Sequence, residues 1–161
     1  MTSPSDGQQP TPEAELQSYI DRLDPKLQTL ARSVRAAVRQ RFPTANELAY
    51  DYGSFVVISY SPTERGIDGI VALAARATGV FLYFSQGGPQ LPDPKKMLQG
   101  SGKQARFIEL AAASQLDDPD VQALIAATVE QAKVPLAPEG KGRLIVKQTA
   151  AKKRSRQKAA S

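Results

Sequence analysis

From residue 47 onward the chain carries four runs rich in β-branched and aromatic residues, ELAYDY, SFVVISYS, DGIVALAAR and GVFLYFS, with only a few turn residues between them. Such runs read as strands. The gaps are too short to hold a helix, and parallel neighbours need a crossover of about a dozen residues or more. The four runs therefore predict an antiparallel meander, with a tight turn at Ala77-Thr78-Gly79 and a looser loop at residues 62–67. RFIEL, at residues 106–110, supplies a fifth strand.

Helices are marked by a second signal. A residue able to cap a helix stands before proline at Thr11-Pro12, Asp24-Pro25, Asp93-Pro94 and Asp118-Pro119. The capping oxygen accepts from unpaired amides of the first turn, and proline at the first position loses no donor that the helix needs. After Pro25, Leu27, Leu30, Ala31, Val34, Val38 and Phe42 recur at three- and four-residue steps until Pro43. Val121, Leu124, Ile125 and Val129 repeat the pattern after Pro119, whereas the segment after Asp93 has room for little more than one turn before Gly100. The expected fold is a two-layer α+β domain, with an antiparallel sheet of about five strands carrying helices on one face. Residues 1–10 are polar and expected to be disordered, residues 11–136 form the domain, and residues 137–161 form a basic tail. Within the tail, GRLIVK at 142–147 is apolar enough to add a strand to an open sheet edge.

The net charge of +5 conceals a division. Residues 141–161 hold eight cations and no acid, so residues 1–140 carry 13 cations against 16 acids, a net −3. There is no cysteine and no histidine. Disulfides, thiolate chemistry, Ser-His-Asp triads and His- or Cys-ligated zinc are thereby excluded. The first ten residues lack the apolar run of a secretory signal, and no stretch approaches the ~20 apolar residues that span a bilayer. A cytoplasmic protein without a membrane partner is expected, and no cofactor is indicated.

The side-chain chemistry that remains is paired carboxylates, a Ser-Lys arrangement, or charge stabilisation by Arg and Lys. Gly100-Ser101-Gly102-Lys103, followed by Arg106, can turn amides and two cations toward an anion. Its spacing falls short of a phosphate loop and it leads to a strand, so a turn with a solvated lysine competes with that reading. In the loop Pro62-Thr63-Glu64-Arg65-Gly66, Glu64 and Arg65 can orient a ligand or partner, or form an exposed ion pair of little consequence. Asp117, Asp118 and Asp120 offer oxygen ligands to a hard cation, although capping the next helix accounts for the same residues. Tyr50 and Tyr52 share one side of a strand with Leu48 and are expected to line a cavity between sheet and helices, or to pack in the core. Lys152, Lys153, Arg154, Arg156 and Lys158 lie within seven residues and suit a polyanion such as nucleic acid, bound without sequence preference. The same charges also serve solubility or pair with the acidic body.

The segments YDYGSFVVISYSPTERGID, LYFSQGGPQLPDPKKMLQGSGKQARFIEL and GRLIVKQTAAKKRSR resemble the YdhG-like domain-of-unknown-function family of bacterial proteins. The likeness runs from about Glu15 to about Arg156 and is carried by Pro62-Thr63-Glu64-Arg65, Leu91-Pro92-Asp93-Pro94, and Gly100-Ser101-Gly102-Lys103 with Arg106. It implies a secretion-chaperone-like fold, an antiparallel sheet backed by helices. It implies no defined chemistry, although some members are described as frataxin-like iron donors. Three functions follow as expectations: a non-enzymatic binding or accessory protein for an unidentified protein or small ligand, nucleic-acid association through the tail, and an iron donor using surface carboxylates.

Overall fold

The computed structural model describes residues 11–148. Two helices come first, α1 (Pro12–Ile20) and α2 (Pro25–Arg41). Four strands follow as a meander, β1 (Asn46–Asp51), β2 (Val56–Ser61), β3 (Val71–Arg76) and β4 (Gly79–Phe84). After them come β5 (Arg106–Leu110), α3 (Pro119–Glu130) and β6 (Leu144–Gln148). No helix among the described residues is long and apolar enough to cross a membrane.

The sheet has six strands in the order β5-β4-β3-β2-β1-β6. All pairs from β1 to β5 are antiparallel, as the short connections require. The stretch at 142–147 supplies the added strand, which brings the count to six, and because β6 lies parallel to β1 and closes its edge the sheet is mixed and not wholly antiparallel. The folded part consequently runs past residue 136 and takes in the apolar stretch of the supposed tail. Its approach needs a glycine: a Cβ on Gly142 would sit 1.7 Å from the carbonyl oxygen of Ala45, while its amide donates to the carbonyl of Pro43 at 3.0 Å.

Alternate residues of every strand build the core. Ala49, Ile58, Leu73, Leu82 and Ile108 point into one cluster with Leu16 and Ile20 of α1, Val34 and Val38 of α2, and Leu124 of α3. All three helices therefore cover the same face of the sheet.

Two helix starts behave as their sequences predict. Thr11 accepts from the amide of Ala14 at 3.1 Å, and Asp118 accepts from Asp120 at 2.8 Å. Before α2, Asp24 makes no side-chain cap, so Pro25 and the apolar stripe suffice. At Asp93-Pro94 the helix is absent. The Asp93 carboxylate accepts from the amides of Met97 and Leu98 at 2.8 and 2.9 Å, which closes a loop, and Lys96 adopts a left-handed φ of 54°. The segment then bridges Gln99 to Phe107, and this pairing draws it into an extended course. Short 3-10 turns at Gly88–Gln90 and Ala113–Asp117 appear without having been anticipated.

Truncating Leu124, 2% exposed, to alanine is expected to lower stability by about 2–4 kcal/mol in urea denaturation. A loss below ~0.5 kcal/mol would show that α3 does not anchor the core.

Candidate functional site

The described part of the chain has two chemically distinct places, one on each face of the sheet. On the helix side, Glu47 of β1 lies 3% exposed at the centre of a polar network. Arg35 of α2 donates through Nε and Nη2 to both its carboxylate oxygens at 2.9 Å, and donates again to both oxygens of Glu13 in α1 at 2.7 and 2.8 Å. The Tyr60 hydroxyl donates to Glu47 Oε2 at 2.8 Å, and Arg39 Nε stands 3.4 Å from Oε1. Burial opposes the charge on Arg35, but its hydrogen bonds to Glu13 and Glu47 outweigh burial and keep it protonated. Burial, followed by the charge of Glu47, pushes the Tyr60 phenol well above its ordinary range.

A cavity of about 350 Å³ opens beside this network, lined in part by Arg39, Phe42, Glu47 and Lys141. Its carboxylate is already engaged by two arginines and a phenol. Little lone-pair capacity is left for a metal or for abstracting a proton. These groups bind each other, and the network is structural.

The other face of the sheet carries no helix. Its centre is floored by small side chains, Ala72 and Ala74 of β3 beside Val57 and Ser59 of β2. Tyr83 of β4 and Phe107 of β5 rise on one side, with ring centroids 4.9 Å apart, and Phe81 meets Phe107 edge-on at 5.8 Å. On the other side Tyr50 stacks on Tyr52 (6.2 Å, 15°), Tyr52 stacks on Phe55 (4.9 Å, 18°), and the Arg76 guanidinium lies 4.3 Å from the Phe55 centroid. A groove of about 210 Å³ runs between the walls, lined by Val57, Ala72, Ala74, Arg76 and Tyr83 with Ser85 and Ala105.

Tyr50 and Tyr52 thus stand on the helix-free face outside the lining of this groove, and not in a cavity between sheet and helices. The register sets Tyr50 opposite Val57 and Ala49 opposite Ile58, and it is Ala49 and Ile58 that enter the core. Burial raises the Tyr50 phenol above its usual value. The β2–β3 loop comes down on Tyr50, since a Cβ on Gly66 would meet its hydroxyl oxygen at 2.5 Å. In that loop the Glu64 carboxylate pairs with Arg143 and its carbonyl accepts from Lys147 Nζ at 3.0 Å, so Glu64 ties the loop to the β6 segment rather than aiming at a ligand. Arg65 is exposed, and its carbonyl accepts from Ser61 at 3.0 Å. Ile67, 75% exposed, projects from the same loop at the rim of the open face.

The remaining candidates lie elsewhere. Arg106 turns its guanidinium onto the carbonyls of Gly102 and Ala105, closing its own loop, and Lys103 is exposed nearby; the loop leads into β5, as its sequence suggested. Asp117 pairs with Arg41, Asp118 caps α3, and Asp120 lies 3.8 Å from Lys95. With three different partners the aspartates do not converge, and among the described residues no group of three His, Cys, Asp or Glu side chains is arranged to hold a metal. Lys152, Lys153, Arg154, Arg156 and Lys158, like residues 1–10, lie outside the described residues. Sequence reading missed Arg35, Glu47 and Tyr60. The available signal was a glutamate directly before the apolar Leu48 and Ala49 of a strand, preceded by a helix with an arginine one position beyond Val34.

Comparison with protein-family models, with curated proteins and with solved structures finds no match to this chain.

Replacing Glu47 by alanine strands Arg35 in the interior and is expected to cost about 3–5 kcal/mol, whereas Tyr60→Phe removes one donor of several and should cost about 1–2 kcal/mol. Similar losses in the two variants, measured by chemical denaturation, would contradict this ordering. Glu13, held down by its hydrogen bonds to Arg35, has its pKa lowered from 4.5 to about 2. A depressed carboxylate stabilises the fold above its unfolded pKa and loses that contribution as pH falls, here between about 4.5 and about 2. Because the side chain is half exposed, the contribution is about 1 kcal/mol after screening. Denaturation of Glu13→Gln beside the unmodified chain at pH 7 and pH 2.5 should show a gap at the first pH that narrows at the second.

Proposed function

We propose that this chain is a non-enzymatic binding or accessory protein of the YdhG-like family, working in the cytoplasm, and that it holds its ligand or partner on the helix-free face of the sheet. The observation that carries this reading is the groove over Ala72 and Ala74, lined by the Tyr83 ring and by Arg76, whose guanidinium lies over the Phe55 ring. Rings held on strands present large apolar area with little rotamer freedom to lose, which suits recognition of a flat or apolar group. Exposed Ile67 extends the same surface at its rim. A non-enzymatic role is supported by the polar network: the buried Arg35, Glu47 and Tyr60, together with the half-exposed Glu13, satisfy one another. Family membership is supported by the order and spacing of the three short motifs, and the cytoplasmic assignment by a chain free of cysteine.

Anilinonaphthalene sulfonate, an aromatic dye that brightens in apolar surroundings, tests the groove. The native chain should bind it saturably at one site. Ala72→Leu, which fills the floor, and Tyr83→Ala, which removes a wall, should each weaken binding about tenfold, equivalent to ~1.4 kcal/mol. Absence of saturable binding, or binding indifferent to both changes, would overturn the reading.

A further inference from the structure

We infer that the cavity of about 350 Å³ beside Glu47 is a second binding site, built for a small monocarboxylate with an apolar body, whose carboxylate Arg39 and Lys141 receive. It shares no lining residue with the groove over Ala72 and Ala74 and stands apart from the reading of the open face.

Three observations carry it. The first is a guanidinium with donors to spare. Arg35 donates from Nε and from both Nη groups to Glu13 and Glu47. Arg39, one turn further along α2, has Glu47 Oε1 3.4 Å from its Nε, and neither of its Nη groups makes a hydrogen bond among the described residues. A planar fork of that kind matches the two oxygens of a carboxylate.

The second is the way Lys141 is held. Its segment is pinned to the approach of β1: the Gly142 amide donates to the Pro43 carbonyl at 3.0 Å, the Arg143 amide to Asn46 Oδ1 at 3.1 Å, and the Glu47 amide to the Arg143 carbonyl at 2.9 Å. Gly140, with a φ of 105°, makes the turn that leads into it. Lys141 itself is exposed, lines the cavity and has no carboxylate partner among the described residues.

The third is the balance of charge. Glu13 and Glu47 stand with Arg35, Arg39 and Lys141, so the network and its cavity together carry one uncompensated positive charge. A single carboxylate balances it. A phosphate group, with a charge nearer −2 at neutral pH, overshoots beside Glu47, and a neutral ligand leaves the Arg39 fork unanswered. Phe42, Pro43 and Ala45 supply the apolar part of the lining, and the volume reaches the lower end of the range for small-ligand sites, about 300–1,000 Å³. An ion pair this close to solvent contributes little by itself. Binding therefore needs the apolar body as well as the charge.

The test titrates the full-length chain at low salt with phenylacetate, acetate, phenylacetamide and inorganic phosphate, following the backbone amides by proton–nitrogen NMR. Phenylacetate should bind saturably and at least about tenfold more tightly than each of the others, equivalent to ~1.4 kcal/mol, with its largest shifts at Phe42, Ala45 and residues 140–142. Lys141→Gln alters an exposed side chain outside the Glu47 network and should weaken phenylacetate about threefold. Arg39→Gln should weaken it about tenfold, and Arg39→Lys, which keeps the charge without the fork, should fall between. The Lys141 variant keeps the inference falsifiable if Arg39→Gln disturbs the fold. Ala72→Leu fills the open-face groove and should leave phenylacetate binding unchanged. Absence of saturable shifts at these residues, equal affinity for phenylacetamide, tighter binding of phosphate, or indifference to both Lys141→Gln and Arg39→Gln would each overturn the inference. Phenylacetate shifts confined to Ala72, Ala74 and Tyr83 would overturn it too, while leaving the open-face reading intact.

Discussion

Everything about the two faces of this sheet follows from where Glu47 points. A slip of one residue in a strand turns every side chain to the opposite face, and apolar contact alone does little to forbid it when both sides of a strand are buried. In β1, Leu48 and Ala49 are each fully buried, on opposite faces. The fork of Arg35 removes the ambiguity. It grips both oxygens of Glu47 while α1 supplies Glu13 and β2 supplies the Tyr60 hydroxyl, so one guanidinium joins two helices and the first strand pair. A buried ion pair adds little net stability over a well-packed apolar substitute. Its value here is directional: with Glu47 held inward, Leu48 and Tyr50 must face outward.

The outward face is then shaped by side-chain size. Alanine, serine and valine occupy the middle strands, and aromatic rings occupy the flanks. A sheet with small residues along its centre and large ones on either side is concave whatever its backbone does. The same face carries no helix because α1, α2 and α3 all pack on the other side, while the β2–β3 loop leans over Tyr50 and Gly100 approaches the Phe107 ring. The two halves of the molecule therefore have different tasks: the helix side is closed by mutual satisfaction of charge, and the open side presents shape and π-faces.

Much of this was legible in the sequence, for identifiable reasons. The meander was readable because its gaps exclude helices, and α2 because its apolar stripe has one period throughout. The side on which Tyr50 and Tyr52 stand was not readable, because Glu47 and Asp51 look like solvent-facing residues and are in fact turned inward by Arg35 and Arg22. Tertiary pairing of charge reversed the usual meaning of a polar residue in a strand. The Asp93-Pro94 signal failed differently. An aspartate whose oxygens accept amides four and five residues on can close a loop as readily as it caps a helix, and the pairing of Gln99 with Phe107 decided between them. The sixth strand was visible as an apolar stretch, but its parallel direction depends on where α3 releases the chain.

That parallel strand also orders events in time. The amides of Gly142 and Arg143 donate to Pro43 and Asn46, the second of them 97 positions earlier in the chain. The meander, by contrast, closes through neighbours. During synthesis both helices and the first four strands can come together while β6 is still unmade, and throughout that interval β1 presents an unpaired edge. A nascent chain is therefore most exposed to intermolecular strand pairing along Asn46–Asp51, and the last few residues of the folded region end that exposure when they arrive.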